Sequence, residues 1–260
     1  YVQDINWLPA AFLQHVKPHV QLIVGQNACP LSPRIELDVY DLILTAVPYY
    51  VDYFKENGAN AAYFPIGFDS RLTAKHSTNG ARPYQLTFVG GLGGYHSNGT
   101  HMLEVVSTQL PLQAWGYGGE ALPNTSSLRS AWQGEAWAAD MYQILADSQI
   151  TLNRHIDISR SYACNMRLYE ATGMGACLVT DNKSNLSTLF ELDREVVAYS
   201  SPREAVDKIR QLIENPSLAR SIAEKGRQRT LNNYTYQHHM RLLVQIIQQA
   251  LLDKQVCLSS

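Results

Sequence analysis

Apolar residues fall into short unbroken runs, separated by stretches in which they recur at helical spacing. In the first quarter of the chain, 20–25 (VQLIVG), 40–46 (YDLILTA) and 61–65 (AAYFP) predict buried strands. Residues 7–17 can form a short helix, and a second helix opens near Pro48 and stops at Gly58. Strands alternating with helices predict a parallel sheet with crossover connections. This stretch supplies only about half of a doubly wound domain, so the first domain reads as truncated at its N-terminus. Residues 67–83 (GFDSRLTAKHSTNGARP) are polar and rich in turn formers, and they read as a linker.

A second and complete α/β pattern follows. Strands are predicted at 85–89, 111–115, 149–153, 176–180 and 195–199, with a short one near 130–133. Helices are predicted near 98–109, 135–146, 165–174 and 184–190. Ser201-Pro202-Arg203-Glu204 is a helix-start signal, with Ser201 as N-cap and Pro202 in the first turn. Pro216 opens another helix over 216–231, and 236–253 carries Met240, Leu243, Ile246, Ile247, Ala250 and Leu251 at helical spacing.

Composition narrows the function without naming one. The 260 residues are 45% hydrophobic and 17% charged with a formal charge of −2, which gives no electrostatic reason to expect nucleic acid or an anionic membrane as partner. No apolar run approaches the roughly 20 residues that span a bilayer. Cys29, Cys164, Cys177 and Cys257 form no CxxC pair, which argues against a zinc or redox motif and suits a reducing cytoplasm. The sequons at Asn98, Asn124, Asn185 and Asn233 then read as chance. The chain opens on Tyr1 in what reads as the middle of a domain, so further domains are expected upstream.

Two stretches could carry chemistry. In VGGLGGYHSNGT (89–100) a strand runs into clustered glycines and then a helix, so backbone amides can approach a phosphate closely; a tight turn is the plainer reading. The glycines at 90, 91, 93, 94 and 99 do not fit GxGxxG. The next strand ends Trp115-Gly116-Tyr117 without the acid a nicotinamide ribose needs, and no GK[ST] occurs. The second stretch begins at Asn153-Arg154-His155 and continues through Asp157, Ser159 and Arg160 to a helix start at Asn165. Arg167 and Glu170 lie on one face of that helix. Guanidinium groups suit a diphosphate and a carboxylate suits the cis-diol of a ribose, although a surface ion pair would look the same. Gly173, Gly175 and Ala176 would let the helix pack closely on a strand and exit sharply. His238-His239 reads as packing and solvent face, because neighbours on a helix diverge by about 100°. Trp132 and Trp137 read equally as core or as a stacking platform.

The run N-x-R-L-Y-E-A-x-G-x-G-A-x-L-V-T-D from Asn165, followed by LFELDREVVAYSSPREAVDKIRQLIENPSLARSIAEKGRQRTLNNYTYQHHM, resembles the C-terminal half of a GT-B glycosyltransferase. The group it is most similar to is the bacterial CgeB-like (spore-maturation) glycosyltransferases, related to the large retaining family 4. The resemblance covers most of 84–245 and is weaker over YDLILTAVPYYVDYFKENGANAAYFPIGFD.

This resemblance implies two Rossmann-like parallel-sheet domains. Residues 1–70 would be a partial acceptor-side domain, 71–83 a linker, 84–232 the nucleotide-sugar-binding domain, and 233–260 a helix crossing back to the first. It implies transfer of a hexose-type sugar from a nucleotide diphosphate donor to a glycan, lipid-linked, protein or small-molecule acceptor. No metal or other cofactor is implied, and the anomeric configuration would be retained. Glu170 would hold the ribose, with Asn165 at the start of its helix. Gly90, Gly91, Gly93 and Gly94 would lie near the diphosphate, whose departure Arg154 and Arg167 would assist. Gly134, Glu135 and Ala136 would meet the base, with Trp137 nearby. Two departures matter: family 4 pairs two glutamates eight positions apart, whereas Tyr162 stands eight before Glu170, and no basic residue follows the first glycines unless His96 serves. They leave open a non-catalytic module that binds a nucleotide sugar or assembles with other domains; a sugar-nucleotide epimerase is a weaker rival.

Overall fold

The computed structural model describes residues 1–27, 30–76, 80–93, 96 and 99–259, the last three without side chains. Cys29, Gly94, Asn98 and the side chain of Cys257 therefore lie outside the described residues. The chain divides into two compact units, Tyr1–Ile66 with Tyr236–Ser260, and Gly67–Thr235.

The first unit begins with α1 (Ala10–Val16), β1 (Val24–Asn27), β2 (Leu42–Thr45), α2 (Pro48–Glu56) and β3 (Ala61–Tyr63). The strands form one parallel sheet in the order β1-β2-β3. β1 starts later than the apolar run predicts. The Asp41 carboxylate takes the Ile23 amide at 2.6 Å, so regular pairing begins only at Val24 opposite Leu42.

The second unit contains α3 (Leu72–Lys75), β4 (Tyr84–Val89), α4 (Thr100–Gln109), β5 (Leu112–Trp115), α5 (Ser127–Ala131), α6 (Ala138–Asp147), β6 (Ser148–Asn153) and α7 (Arg167–Gly173). It continues with β7 (Cys177–Asp181), α8 (Leu186–Leu189), β8 (Val197–Tyr199), α9 (Pro202–Glu214) and α10 (Pro216–Asn233). The last helix, α11 (Tyr236–Ser259), belongs to the first unit, where Leu242, Leu243, Ile246 and Ala250 pack on Val24, Leu42, Leu44 and Phe64. His239 is buried on the same helix with its ring against Phe64.

Five parallel strands of the second unit run in the order β5-β4-β6-β7-β8. Strands covered on both faces read as continuous apolar runs, and Cys177, Leu178 and Val179 of β7 are fully buried. Buried polar positions are satisfied within the sheet: the Thr87 hydroxyl pairs with those of Ser148 at 2.8 Å and Thr151 at 2.9 Å. Connections leave β4 toward β5 on one side and reach β6 on the other. A crevice therefore opens at the carboxyl ends of β4 and β6, the usual ligand position in such sheets.

Three expectations change. Residues 130–133 are not a strand: the Ser126 hydroxyl caps α5 by accepting the Arg129 amide at 2.9 Å, and only Trp132 makes a single bridge, to Ala114. The polar segment 67–83 carries α3 and buries Phe68, whose amide donates to the Tyr234 carbonyl at 2.8 Å. Gly173 serves that ring, because a side chain there would overlap Phe68, while Gly175 (φ +81°) makes the sharp exit from α7.

The start of α9 follows the sequence signal, with the Ser201 hydroxyl accepting the Glu204 amide at 3.2 Å. Ser201→Ala is expected to cost about 1 kcal/mol, measurable as a lowered midpoint in urea with an unchanged slope.

Candidate nucleotide-sugar site

Two glycine-rich strand ends meet at the head of the crevice. The Gly90 amide donates to the Trp115 carbonyl and the Leu92 amide to that of Tyr117, both at 2.9 Å. Gly116 (φ +146°) has no room for a side chain, which would overlap the Gly90 carbonyl, and Gly118 (φ +86°) abuts the Gly93 backbone. Part of the glycine clustering is therefore close backbone packing, as the plainer reading has it. The amides of Gly91 and Gly93 donate to no described residue.

Arg154 leaves the end of β6 and reaches across to this loop. Its guanidinium donates to the Gly91 carbonyl at 3.3 Å and to the His96 carbonyl, and lies over the Phe88 ring. Gly99, at the N-cap of α4, makes the space, since a methyl there would overlap the guanidinium. Nε of Arg154 is buried and has no hydrogen-bond partner among the described residues. Burial lowers the pKa of this guanidinium, and of the imidazole of His96, where Arg154 adds to the effect. Arg154 thus brings a guanidinium to the glycine loop from the end of another strand.

Arg167 and Glu170 form no surface pair. Nη1 of Arg167 meets Oε2 of Glu170 at 2.8 Å, and the two side chains are only 14% and 7% exposed. Nε of Arg167 donates to the Val89 carbonyl at 3.0 Å, which ties α7 to the end of β4, and Nη2 meets Sδ of Met141. The other Glu170 oxygen accepts the Tyr142 hydroxyl at 3.0 Å. Asn165 donates to Oδ1 of Asn153 at 3.0 Å and to the Arg154 carbonyl at 3.2 Å, fixing the turn from which Arg154 departs.

The third segment joins through β5. The Gly134 carbonyl accepts the Gly116 amide at 2.9 Å; Gly134 has φ +102°, Glu135 is exposed and Ala136 is buried. Nε1 of Trp137 donates to Glu135 at 2.7 Å, and its ring stacks on Tyr117 at 5.9 Å, which in turn meets His96 edge-on at 5.7 Å. Trp137 is 58% exposed and so lies outside the core, whereas Trp132 is half-buried and donates to the Gly116 carbonyl. Three aromatic rings thus run from the glycine loop to the 134–137 strap.

A family model described as glycosyl transferase-like matches residues 99–245, more than half of the chain. The chain belongs to the glycosyl transferase-like family. No curated protein matches it by sequence. Among solved structures it is similar to the Anabaena protein HepE in complex with UDP (TM-score 0.69, 13% identity, 92% of this chain and 76% of that one). It is also similar to a glycosyltransferase from Rickettsia africae (TM-score 0.63, 10% identity, 93% and 80%) and to sucrose-phosphate synthase from Thermosynechococcus elongatus (TM-score 0.60, 12% identity, 87% and 67%). The two parallel-sheet units are those of the GT-B fold. Among the described residues no helix is long and apolar enough to cross a membrane, and no three His, Cys, Asp or Glu side chains group as a metal site.

Sequence reasoning had Gly99 and His155 within the two candidate stretches but gave them no role, and it gave none to Tyr117 or Asp181. Gly99 stood in the glycine run, but its purpose depends on an arginine from β6. The pairing of His155 with Asp181 spans 26 positions and leaves no local signal.

Proposed function

We propose that this family member, in the CgeB-like group, transfers a sugar from a nucleotide diphosphate to an acceptor hydroxyl, with retention and without a catalytic metal. The bond from the anomeric carbon to the diphosphate oxygen breaks and the acceptor oxygen takes its place. The acceptor's proton passes to the departing diphosphate. The observation that carries this reading is Arg154: a half-buried guanidinium among glycines, at a helix N-terminus, with a buried Nε that has no partner among the described residues. A diphosphate oxygen would supply that partner, and the Gly91 and Gly93 amides add donors where negative charge grows in the transition state. The ring path from His96 through Tyr117 to Trp137 supports a base beside Gly134, Glu135 and Ala136, and Glu170 supports a ribose between base and phosphates. UDP is the first diphosphate to try, since the structurally similar Anabaena protein binds it.

Calorimetry with UDP, GDP and ADP tests this, with Gly99→Ala as comparison. The three atoms nearest the added methyl all belong to the far end of Arg154, so the fold should survive while the guanidinium leaves the loop. The expected result is binding of one diphosphate by the wild type, weakened about tenfold in the variant. No binding of any of the three by the wild type would sink the reading. Release of free sugar from the matching sugar nucleotide separates an enzyme from a module that only binds.

A further inference from the structure

We propose that Nε2 of His155 accepts a hydrogen bond from a hydroxyl of the transferred sugar, making His155 a sugar-positioning residue of the donor site; this rests on the reading above. The side chain of His155 is fully buried. Its Nδ1 lies 2.7 Å from Oδ1 of Asp181, which also accepts the His155 amide at 3.0 Å. Asp181 is further held by the Thr180 hydroxyl and by Nζ of Lys183, each at 3.3 Å. Burial alone would push the Asp181 carboxyl up, but the hydrogen bond from His155, with Lys183, holds it below the usual carboxylate range. An ionised carboxylate only accepts, so Nδ1 is the donor, and a ring carrying that one proton has its lone pair on Nε2.

Nε2 is buried and has no partner among the described residues. A lone pair cannot take a phosphate, which offers only acceptors; it takes an O–H. His155 directly follows the arginine assigned to the diphosphate, at the carboxyl end of the strand bordering the crevice. The group joined to that diphosphate in the donor is a sugar ring carrying hydroxyls.

The loop after His155 is built to hold it. The Arg160 carbonyl accepts Nζ of Lys183 at 2.8 Å, the Ser161 carbonyl accepts the Ser184 amide and hydroxyl at 2.8 Å, and the Asn185 side chain brackets Ala163 through its amide and carbonyl. Arg160 sits at φ +49°, ψ −120°, a strained backbone for a residue with a side chain. Lys183 thus joins the Asp181 carboxylate to the loop.

A purely structural role for the pair would need only the Nδ1 donor, which the amide of asparagine reproduces. His155→Asn keeps that donor and removes Nε2. The test measures affinity for a diphosphate and its sugar nucleotide (UDP with UDP-glucose, or the GDP or ADP pair the wild type prefers) and follows ¹⁵N resonances of the imidazole. In the expected result His155→Asn binds the diphosphate like the wild type and the sugar nucleotide about tenfold more weakly. Turnover of the sugar nucleotide should fall in kcat, and in the wild type the Nε2 resonance should move with the sugar nucleotide but not with the diphosphate. Unchanged affinity of the variant for the sugar nucleotide, equal weakening for both ligands, or an Nε2 resonance that ignores the sugar would each overturn the assignment. The wild-type resonances decide the matter if the variant does not fold. A wild type that binds neither ligand would instead refute the donor site itself.

Discussion

Arg154→Met is expected to lower sugar transfer about 100-fold or more, the size of effect seen when one donor to a developing anion is removed, while leaving the fold at least as stable. The two halves of this expectation have separate causes. Arg154 is half-buried, donates to the Gly91 and His96 carbonyls, and has a buried Nε without a partner among the described residues. A desolvated charge with an unmet donor is a cost that the fold carries. Methionine fills much of the same space beside Phe88 and Gly99 without that cost, so the melting temperature should hold or rise. If Arg154 serves the proposed donor site, binding should move the other way, because the diphosphate would lose a cation. Calorimetry with UDP and thermal unfolding on one preparation check both. A variant that melts much lower yet binds UDP normally would show that Arg154 is a structural strut.

That behaviour could be anticipated only in part from the sequence. Strands β4, β6 and β7 were legible because parallel strands buried on both faces give continuous apolar runs. The start of α9 was legible because its cap is local. Helix α5 was not: a short strand was expected near 130–133, and what makes 127–131 helical is a cap reinforced from α4, where the Glu104 carboxylate accepts the Ser127 hydroxyl at 2.8 Å and the Leu128 amide at 3.1 Å. The same division runs through the site. Arg154, Arg167 and Glu170 could be named from residue type and position. Their reach could not, because Gly99, Val89 and Tyr142, which fix it, come from other elements. Gly116 and Gly118 serve backbone approach between two strand ends, a purpose set by the distant Gly90 and Gly93. Most of what sequence withheld is contact between segments far apart in the chain.

Glu170→Ala is expected to destabilise the second unit by about 3–5 kcal/mol, the usual result of deleting one partner of a buried ion pair. The reason is Arg167, which is 14% exposed and would keep its charge in a low-dielectric setting with only the Val89 carbonyl and a thioether for company. The loss should appear as a melting temperature lower by roughly 10 °C, and it would make any drop in nucleotide affinity in that variant ambiguous. Replacing both partners, as Arg167→Met with Glu170→Leu, removes the stranded charge and should recover most of the stability. The ribose role needs a gentler change and a ligand-side control. Glu170→Gln keeps an acceptor for Tyr142 and removes the charge that favours two hydroxyl donors. If Glu170 holds the ribose, the wild type should prefer UDP to 2′-deoxy-UDP by about tenfold, a charge-assisted hydrogen bond in worth, and Glu170→Gln should erase the preference. If the carboxylate serves only to neutralise Arg167, the glutamine variant will melt lower while the ratio between the two nucleotides stays as it was. Stability and ligand preference therefore report on different atoms of one side chain: Oε2 answers to Arg167, and Oε1, held by Tyr142, is the oxygen left with a lone pair to offer a ribose.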